Sequence, residues 1–211
     1  MQTDNEQKLN DEPSPLSEPA WRIALFFPEQ GAWSEDEYLN LSGGPLVEFD
    51  NGRIEVQDMP TKAHQRMAQF IYRLLFSFLA GKDLGEAFIA PLPTRLWPGK
   101  FREPDVLFLR SGRAEYQGQY PDGADLVVEI VSKGAENRRR DLEDKRADYA
   151  KAGISEYWIL DPEEEAATVL RLAGGVYHTH GVFKPGQNAT SVELPGFEVS
   201  VSDWFDSAKG N

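Results

Sequence analysis

Asp105 and Glu129 each stand in a run that is otherwise apolar, Pro104-Asp105-Val106-Leu107-Phe108-Leu109 and Asp125-Leu126-Val127-Val128-Glu129-Ile130-Val131. A strand apolar on both faces lies inside a sheet, where an ionised carboxylate is costly unless a cation or a set of donors compensates it. Two such residues in neighbouring runs point to a metal site. Soon afterwards Asp141, Lys145 and Tyr149 follow one another at four-residue intervals, which places them on one face of a helix. Two strand acids and a helix lysine suit phosphodiester hydrolysis. Mg2+, or Mn2+ in its place, takes hard oxygen ligands and keeps several waters, so Asp105, Glu129 and a main-chain carbonyl such as that of Ile130 would hold it. The metal would polarise the phosphoryl group and lower the pKa of a bound water, while Lys145 would orient that water and stabilise the developing charge.

Each residue also has a plainer reading. Asp105 could accept backbone hydrogen bonds beside a turn, and Glu129 could form a buried salt bridge to an arginine of the following segment. Lys145 could be an i,i+4 partner of Asp141, worth ~0.3 kcal/mol. All three plain readings would have to gather by chance in one sheet-helix-sheet unit. Arg138-Arg139-Arg140, in the most basic segment of the chain, could be a solvated helix start or could meet phosphates.

The elements that would position these residues are legible from pattern. Ser34-Glu35-Asp36-Glu37 is a capping box for a short helix stopped by Gly43-Gly44-Pro45. Leu46–Phe49 and Arg53–Val56 flank Asp50-Asn51-Gly52 as a tight hairpin. Met67, Phe70, Ile71, Leu74, Leu75, Phe78 and Leu79 recur at helical spacing between His64 and Ala80. Short strands are expected at Glu86–Ala90 and Thr94–Trp97, then the Asp105 strand, a polar loop from Ser111 to Gly123, and the Glu129 strand. The Asp141 helix should end near Gly153 and lead into a buried strand, Glu156–Pro162, paired parallel to the Glu129 strand. A hairpin of Ala167–Leu172 and Val176–His180 follows, and Glu193–Val201 with Trp204 and Phe205 closes the chain. The fold class is a mixed α/β sheet edged by hairpins.

With 211 residues and 40% hydrophobic content the chain can bury one substantial core. Residues 1–20, rich in Asp, Glu, Pro and Ser, read as a flexible tail, 21–206 as a single domain and 207–211 as a short tail. No secretory signal or apolar run of membrane-spanning length is visible, so a cytoplasmic protein without membrane association is expected. The absence of cysteine excludes disulfides, thiolate zinc sites and cysteine nucleophiles. A net charge of -13 argues against a nucleic-acid partner, yet residues 1–58 carry 13 acidic and 3 basic residues, leaving 22 acidic and 19 basic beyond them. His178 and His180 form an i,i+2 pair expected on an exposed strand face, while His64 opens the long helix and could cap it or line a cleft. Nothing matches a phosphate-binding glycine loop, a serine-hydrolase elbow or a zinc spacing.

The set of Pro104-Asp105, Glu129 within Asp-Leu-Val-Val-Glu-Ile-Val-Ser, Arg140-Asp141, Lys145, Tyr149 and Gly153-Ile154-Ser155-Glu156-Tyr157-Trp158-Ile159-Leu160-Asp161-Pro162 resembles the Uma-two family of restriction endonuclease-like proteins, within the PD-(D/E)XK nuclease superfamily. The resemblance spans residues 33–206. It implies a restriction endonuclease-like α+β fold, a mixed sheet flanked by helices with hairpins at both ends, and a Mg2+-dependent nuclease acting on nucleic acid, DNA in preference to RNA. The superfamily's strand lysine is replaced by Val131, and Lys145 is the matching position, with Lys133 as the second candidate. Glu48 or Glu55 from the hairpin, together with His64 and Asp141, are possible accessory groups, and Arg138, Arg139 and Arg140 would contact the phosphate backbone. The alternative is a nuclease fold without catalysis, serving as a binding or assembly module, with a homodimer as one form it could take.

Overall fold

The computed structural model describes residues 27–41, 46–112 and 119–209. The expected N-terminal tail, the Gly43-Gly44-Pro45 stop, part of the Ser111–Gly123 loop and the last two residues lie outside them. The elements in order are α1 (Glu35–Leu39), β1 (Val47–Asp50), β2 (Arg53–Val56), α2 (Lys62–Leu79), β3 (Gly85–Ile89), β4 (Thr94–Trp97), β5 (Lys100–Arg102), β6 (Val106–Arg110) and β7 (Leu126–Ile130). They continue with α3 (Ala135–Arg139), a π-helical turn (Arg140–Asp144), α4 (Lys145–Lys151), β8 (Glu156–Asp161), β9 (Ala166–Ala173), β10 (Val176–Phe183), β11 (Asn188–Thr190), β12 (Glu198–Ser200) and α5 (Val201–Ser207).

A six-stranded sheet of order β10-β9-β8-β7-β6-β3 forms the centre. Its pairs are antiparallel except β7 with β8, which run parallel around the helical crossover, as the strand-helix-strand order predicts. Side-chain alternation divides its residues between two layers. Val106, Phe108, Leu126, Val128, Ile130, Trp158 and Leu160 pack with Met67, Ile71 and Leu75 of α2 and Trp204 of α5. Leu107, Leu109, Val127, Val131, Tyr157 and Ile159 pack on the opposite face with Tyr149 of α4. By the same alternation Asp105 and Glu129 belong to that second face, beneath α4.

A second, four-stranded sheet of order β2-β1-β5-β4 stands beside the first. Its core is a cluster of Tyr38, Phe49 and Phe101. Ser34 and Glu37 form the capping box read from the sequence, and Asn51 and Gly52 take φ of 46° and 81° in the hairpin turn. The strand β5 and the separateness of this sheet are not legible in the pattern, because Lys100 and Arg102 are buried cations in a run too short and polar to read as a strand. Among the described residues no helix is long and apolar enough to cross a membrane.

Candidate functional site

The register of β6 on β7 pairs Val106 with Val128, so one step further Asp105 stands across from Glu129. The ladder stops there because Asp105 turns its side chain to the neighbouring main chain: its Oδ2 accepts the Ile130 N–H at 2.8 Å. The next residue, Val131, donates instead to Leu160 of β8, so Ile130 directs its polar backbone groups toward Asp105. The plain reading of Asp105 as an acceptor of backbone bonds therefore holds in part, and the same bond fixes the carboxylate against the Ile130 main chain.

Glu129 is 2% exposed and directed at α4, where Lys145 Nζ lies 2.9 Å from its Oε2 and the Tyr149 hydroxyl donates to its Oε1 at 2.5 Å. Lys145 also stands 3.6 Å from Glu48 Oε1 and 3.7 Å from Asp141 Oδ1. The i,i+4 pair of Lys145 with Asp141 is present, but it is not a surface pair, since Lys145 is buried and surrounded by carboxylates. The salt-bridge reading of Glu129 is right in kind, with Lys145 in place of an arginine. Asp141 is itself fixed by the Ser132 N–H at 3.2 Å, and its main-chain carbonyl accepts the Tyr157 hydroxyl at 2.7 Å.

The electrostatics follow from one ammonium among several acids. Burial pulls the Lys145 pKa down, but the charges of Glu129, Glu48, Asp141 and Asp105 overcome it and hold the group well above an ordinary lysine, so it stays an ammonium. Burial pushes Glu129 up to about 8, with Asp105 and Asp141 adding to the rise against Lys145 and the Tyr149 bond. The Lys145 shift expresses the acids around it, whereas that of Glu129 expresses burial first and the neighbouring acids second. Burial also acts to raise Glu48, yet Lys145, Arg102 and the Glu103 N–H bring it down to about 2. Sequence reasoning missed Glu103, whose Oε2 is buried without a partner and whose pKa burial and Glu48 raise to about 7. It stands directly before Pro104-Asp105, but nothing in that run of the sequence says that its carboxylate is buried.

His64 enters the site from the first turn of α2, which Thr61 caps by accepting the His64 N–H. Its Nε2 is 3.2 Å from Asp105 Oδ2, and its Nδ1 is buried without a partner. Burial acts to lower its pKa, but the bond and charge of Asp105, the charge of Glu129 and the facing Ile130 main chain raise it overall.

Other candidates fall outside this cluster. Lys133 is exposed, and β7 ends at Ile130, so the continuation that would have put Lys133 on the strand does not exist. Glu55 lies on the more open side of Arg102, bonding it at 3.0 Å. The three arginines do not act as a set: Arg138 closes both arms on Asp161 at 3.0 and 2.7 Å, Arg139 pairs with Asp144 at 3.2 Å, and Arg140 lies 3.4 Å from Asp141. The uniform phosphate-contacting run is thereby corrected, because Arg138 is spent on the end of β8. His178 and His180 are exposed, as expected for the strand face.

Among the described residues no three His, Asp or Glu side chains gather closely enough to hold a metal unaided. The available set is Asp105, His64 and the Ile130 carbonyl, with Glu129 one residue away. It fits a hard divalent cation, which needs few protein ligands. A groove of about 340 Å³ lined by Leu142, Arg146, Asp161 and Lys184 contains none of these groups.

No functionally curated protein matches the chain. A crystal structure of "a putative nuclease belonging to DUF820" from Anabaena variabilis ATCC 29413 aligns over 83% of this chain and 99% of that one, with a TM-score of 0.67 at 20% identity. That likeness shows a shared nuclease-like fold. Residues 33–202 match Uma2, described as "Putative restriction endonuclease", and since the match spans most of the length, the chain belongs to the Uma2 family.

Proposed function

We propose that the protein is a metal-dependent nuclease of PD-(D/E)XK type that hydrolyses phosphodiester bonds, in DNA in preference to RNA. The observation that carries this reading is the buried Lys145 ammonium 2.9 Å from Glu129, on the strand whose next residue is held by Asp105. Asp105, Glu129 and the Ile130 carbonyl would hold Mg2+ or Mn2+, which when bound supplies charge neutralisation at the phosphoryl group and a water of lowered pKa. In the hydrolysis a water oxygen attacks phosphorus, the bond to the leaving sugar oxygen breaks, and the two water protons end on that oxygen and in solvent. Lys145, kept charged by its carboxylates, cannot serve as the base. It orients the attacking water and stabilises charge on the phosphoryl oxygens. Tyr149 and Asp141 hold Glu129 and Lys145 in place, and Arg139 and Arg140, on the turn beside the site, would meet the backbone phosphates.

A second reading has its own support. Both Glu129 oxygens already have partners, Lys145 and Tyr149, as in a fully satisfied structural network. That reading makes the chain a nucleic-acid-binding or assembly module without turnover.

Calorimetric titration of Mg2+ and Mn2+ into wild type and into the Asp105→Asn, Glu129→Gln double variant separates the two. The nuclease reading expects saturable binding lost in a variant that is still folded at the titration temperature, although removing the buried partner of Lys145 lowers its melting temperature. It also expects plasmid cleavage that falls at least about 100-fold in Lys145→Gln, the scale on which one preorganised electrostatic group acts. Cleavage that survives Asp105→Asn would falsify it.

A further inference from the structure

We propose that a cleft between the β9–β10 pair and the segment after β11 binds a phosphate group through Arg171. The site goes beyond the nuclease reading and does not depend on it. The cleft, of about 360 Å³, is lined by Arg171, His178, Thr179, His180 and Val192, a set without an acid in a chain of net charge -13. Register separates it from the Asp105–Glu129–Lys145 cluster. Glu129 stands level with Ile159 and Thr168, whereas Arg171 pairs with Glu156 at the start of β8. Side-chain alternation also places Arg171 in the layer of Trp158 and Val169, on the face of the sheet opposite α4.

The acids that could neutralise Arg171 are engaged elsewhere. Glu156, its neighbour in β8, already accepts from Trp158 Nε1, the Ser191 hydroxyl and the Val192 and Glu193 N–H groups, and the Glu193 carboxylate pairs with Arg110. The Arg171 side chain has no hydrogen bond or ion pair among the described residues, and neither has the imidazole of His178, directly across from it in β10. Two cations on opposed positions repel whenever His178 carries its proton, and an anion between them reverses that. The walls of the cleft are fixed before any ligand arrives. Bonds from Ser191, Val192 and Glu193 to the buried Glu156 hold one side. On the other, β10 carries one extra residue between Thr179 and Gly181, and that residue, His180, has its Nε2 2.9 Å from the Thr190 hydroxyl of β11. A guanidinium fork flanked by imidazoles and a hydroxyl is a donor set suited to the oxygens of a phosphate.

The chain has three histidines, so imidazole ¹H–¹⁵N correlation spectra of the full protein report on this cleft almost residue by residue. Orthophosphate titrated into metal-free wild type at constant ionic strength should move the His178 and His180 signals saturably, with His64 not following the same curve. Arg171→Gln, a change at an exposed position, should weaken that binding by about tenfold or more, the scale of one charge-assisted hydrogen bond. A short oligodeoxynucleotide without terminal phosphates distinguishes the two sources of the group. Arg171-dependent shifts with the oligonucleotide would make the cleft a contact for the nucleic-acid backbone, and shifts with orthophosphate alone would make it a site for a free phosphate or phosphomonoester. Shifts that stay linear with both probes, or that move all three histidines together, overturn the proposal in wild type without need of a variant. Saturable shifts that survive Arg171→Gln overturn it as well.

Discussion

Glu129 and Glu156 sit on the adjacent strands β7 and β8, both buried, and their surroundings differ in kind. Glu156 accepts from Trp158 Nε1, the Ser191 hydroxyl and the N–H groups of Val192 and Glu193 at 2.5 to 2.7 Å, neutral donors that anchor the C-terminal segment. Glu129 faces a lysine and two further acids, Asp105 and Asp141, beside its one neutral donor, Tyr149. A carboxylate in an apolar strand is therefore not in itself evidence of chemistry. The Asp105–Glu129–Lys145 set was legible because three residues of the required types recur at strand and helix spacing. Glu103 was not, because nothing in a Glu-Pro-Asp run says that the first acid is buried and unpaired. Its consequence is measurable. Between about pH 4.5 and 7 the folded protein keeps a proton on Glu103 that the unfolded chain has released, so stability falls as pH rises through that window, by up to about 1.4 kcal/mol per unit. Denaturant unfolding in the presence of a chelator should find Glu103→Gln up to about 3 kcal/mol more stable than wild type at pH 8, with little difference at pH 4.5. Equal pH slopes for the two proteins would mean that Glu103 is ionised in the folded state.

At the scale of elements, the helix carrying Lys145 departs from the expected regular 3.6-residue winding. Arg140–Asp144 forms a π-helical turn, with neither Gly nor Pro in it to announce the change. The cause is tertiary. Upstream, Arg138 is clamped to Asp161 of β8 and Asp141 to Ser132 and Tyr157, while downstream Tyr149 is clamped to Glu129 of β7. One residue too many lies between these anchors for α-helical winding, and the surplus is taken up as a wide turn that keeps Asp141 within 3.7 Å of Lys145. Glu143, exposed within that turn, offers a clean test. Glu143→Ala should change stability by less than about 0.5 kcal/mol. Deleting Glu143 removes the surplus, so the segment can wind as a regular α-helix between the same anchors, and the loss on urea unfolding should stay within about 1 kcal/mol. A loss of more than about 3 kcal/mol, as for other ruptured buried networks, would show that the wide turn does not merely absorb a surplus residue between these anchors.

Across the whole molecule, the two sheets meet through charge as well as through apolar packing. Lys100 and Arg102 of β5, both less than 5% exposed, share Asp148 of α4 at 3.2 Å and 2.7 Å. Arg102 also grips Glu48 of β1, which in turn faces Lys145. The seam thus runs from Asp50 through Lys100, Asp148, Arg102, Glu48 and Lys145 to Glu129, alternating in sign from the edge of the small sheet to the candidate site. The orientation of the small sheet and the charge balance at Lys145 are consequently one problem. Asp148 is the junction, and sequence reading passed over it as an ordinary helix acid because its partners Arg102 and Lys100 lie 46 and 48 residues away. Asp148→Ala leaves two buried cations with one carboxylate fewer, and breaking a buried pair from one side costs about 3–5 kcal/mol. Because these charges are shielded from solvent, the loss should persist between 0.05 and 0.5 M salt, whereas a surface pair would be screened away over about that range. Hydrogen exchange should locate the damage: faster exchange in β1, β2 and β5, with β7 and β8 unchanged. The same variant should weaken divalent-cation binding, since a released Arg102 no longer holds Glu48 against Lys145. Uniformly faster exchange in both sheets would instead mean that they unfold as one unit and that the seam does not set the position of the small sheet.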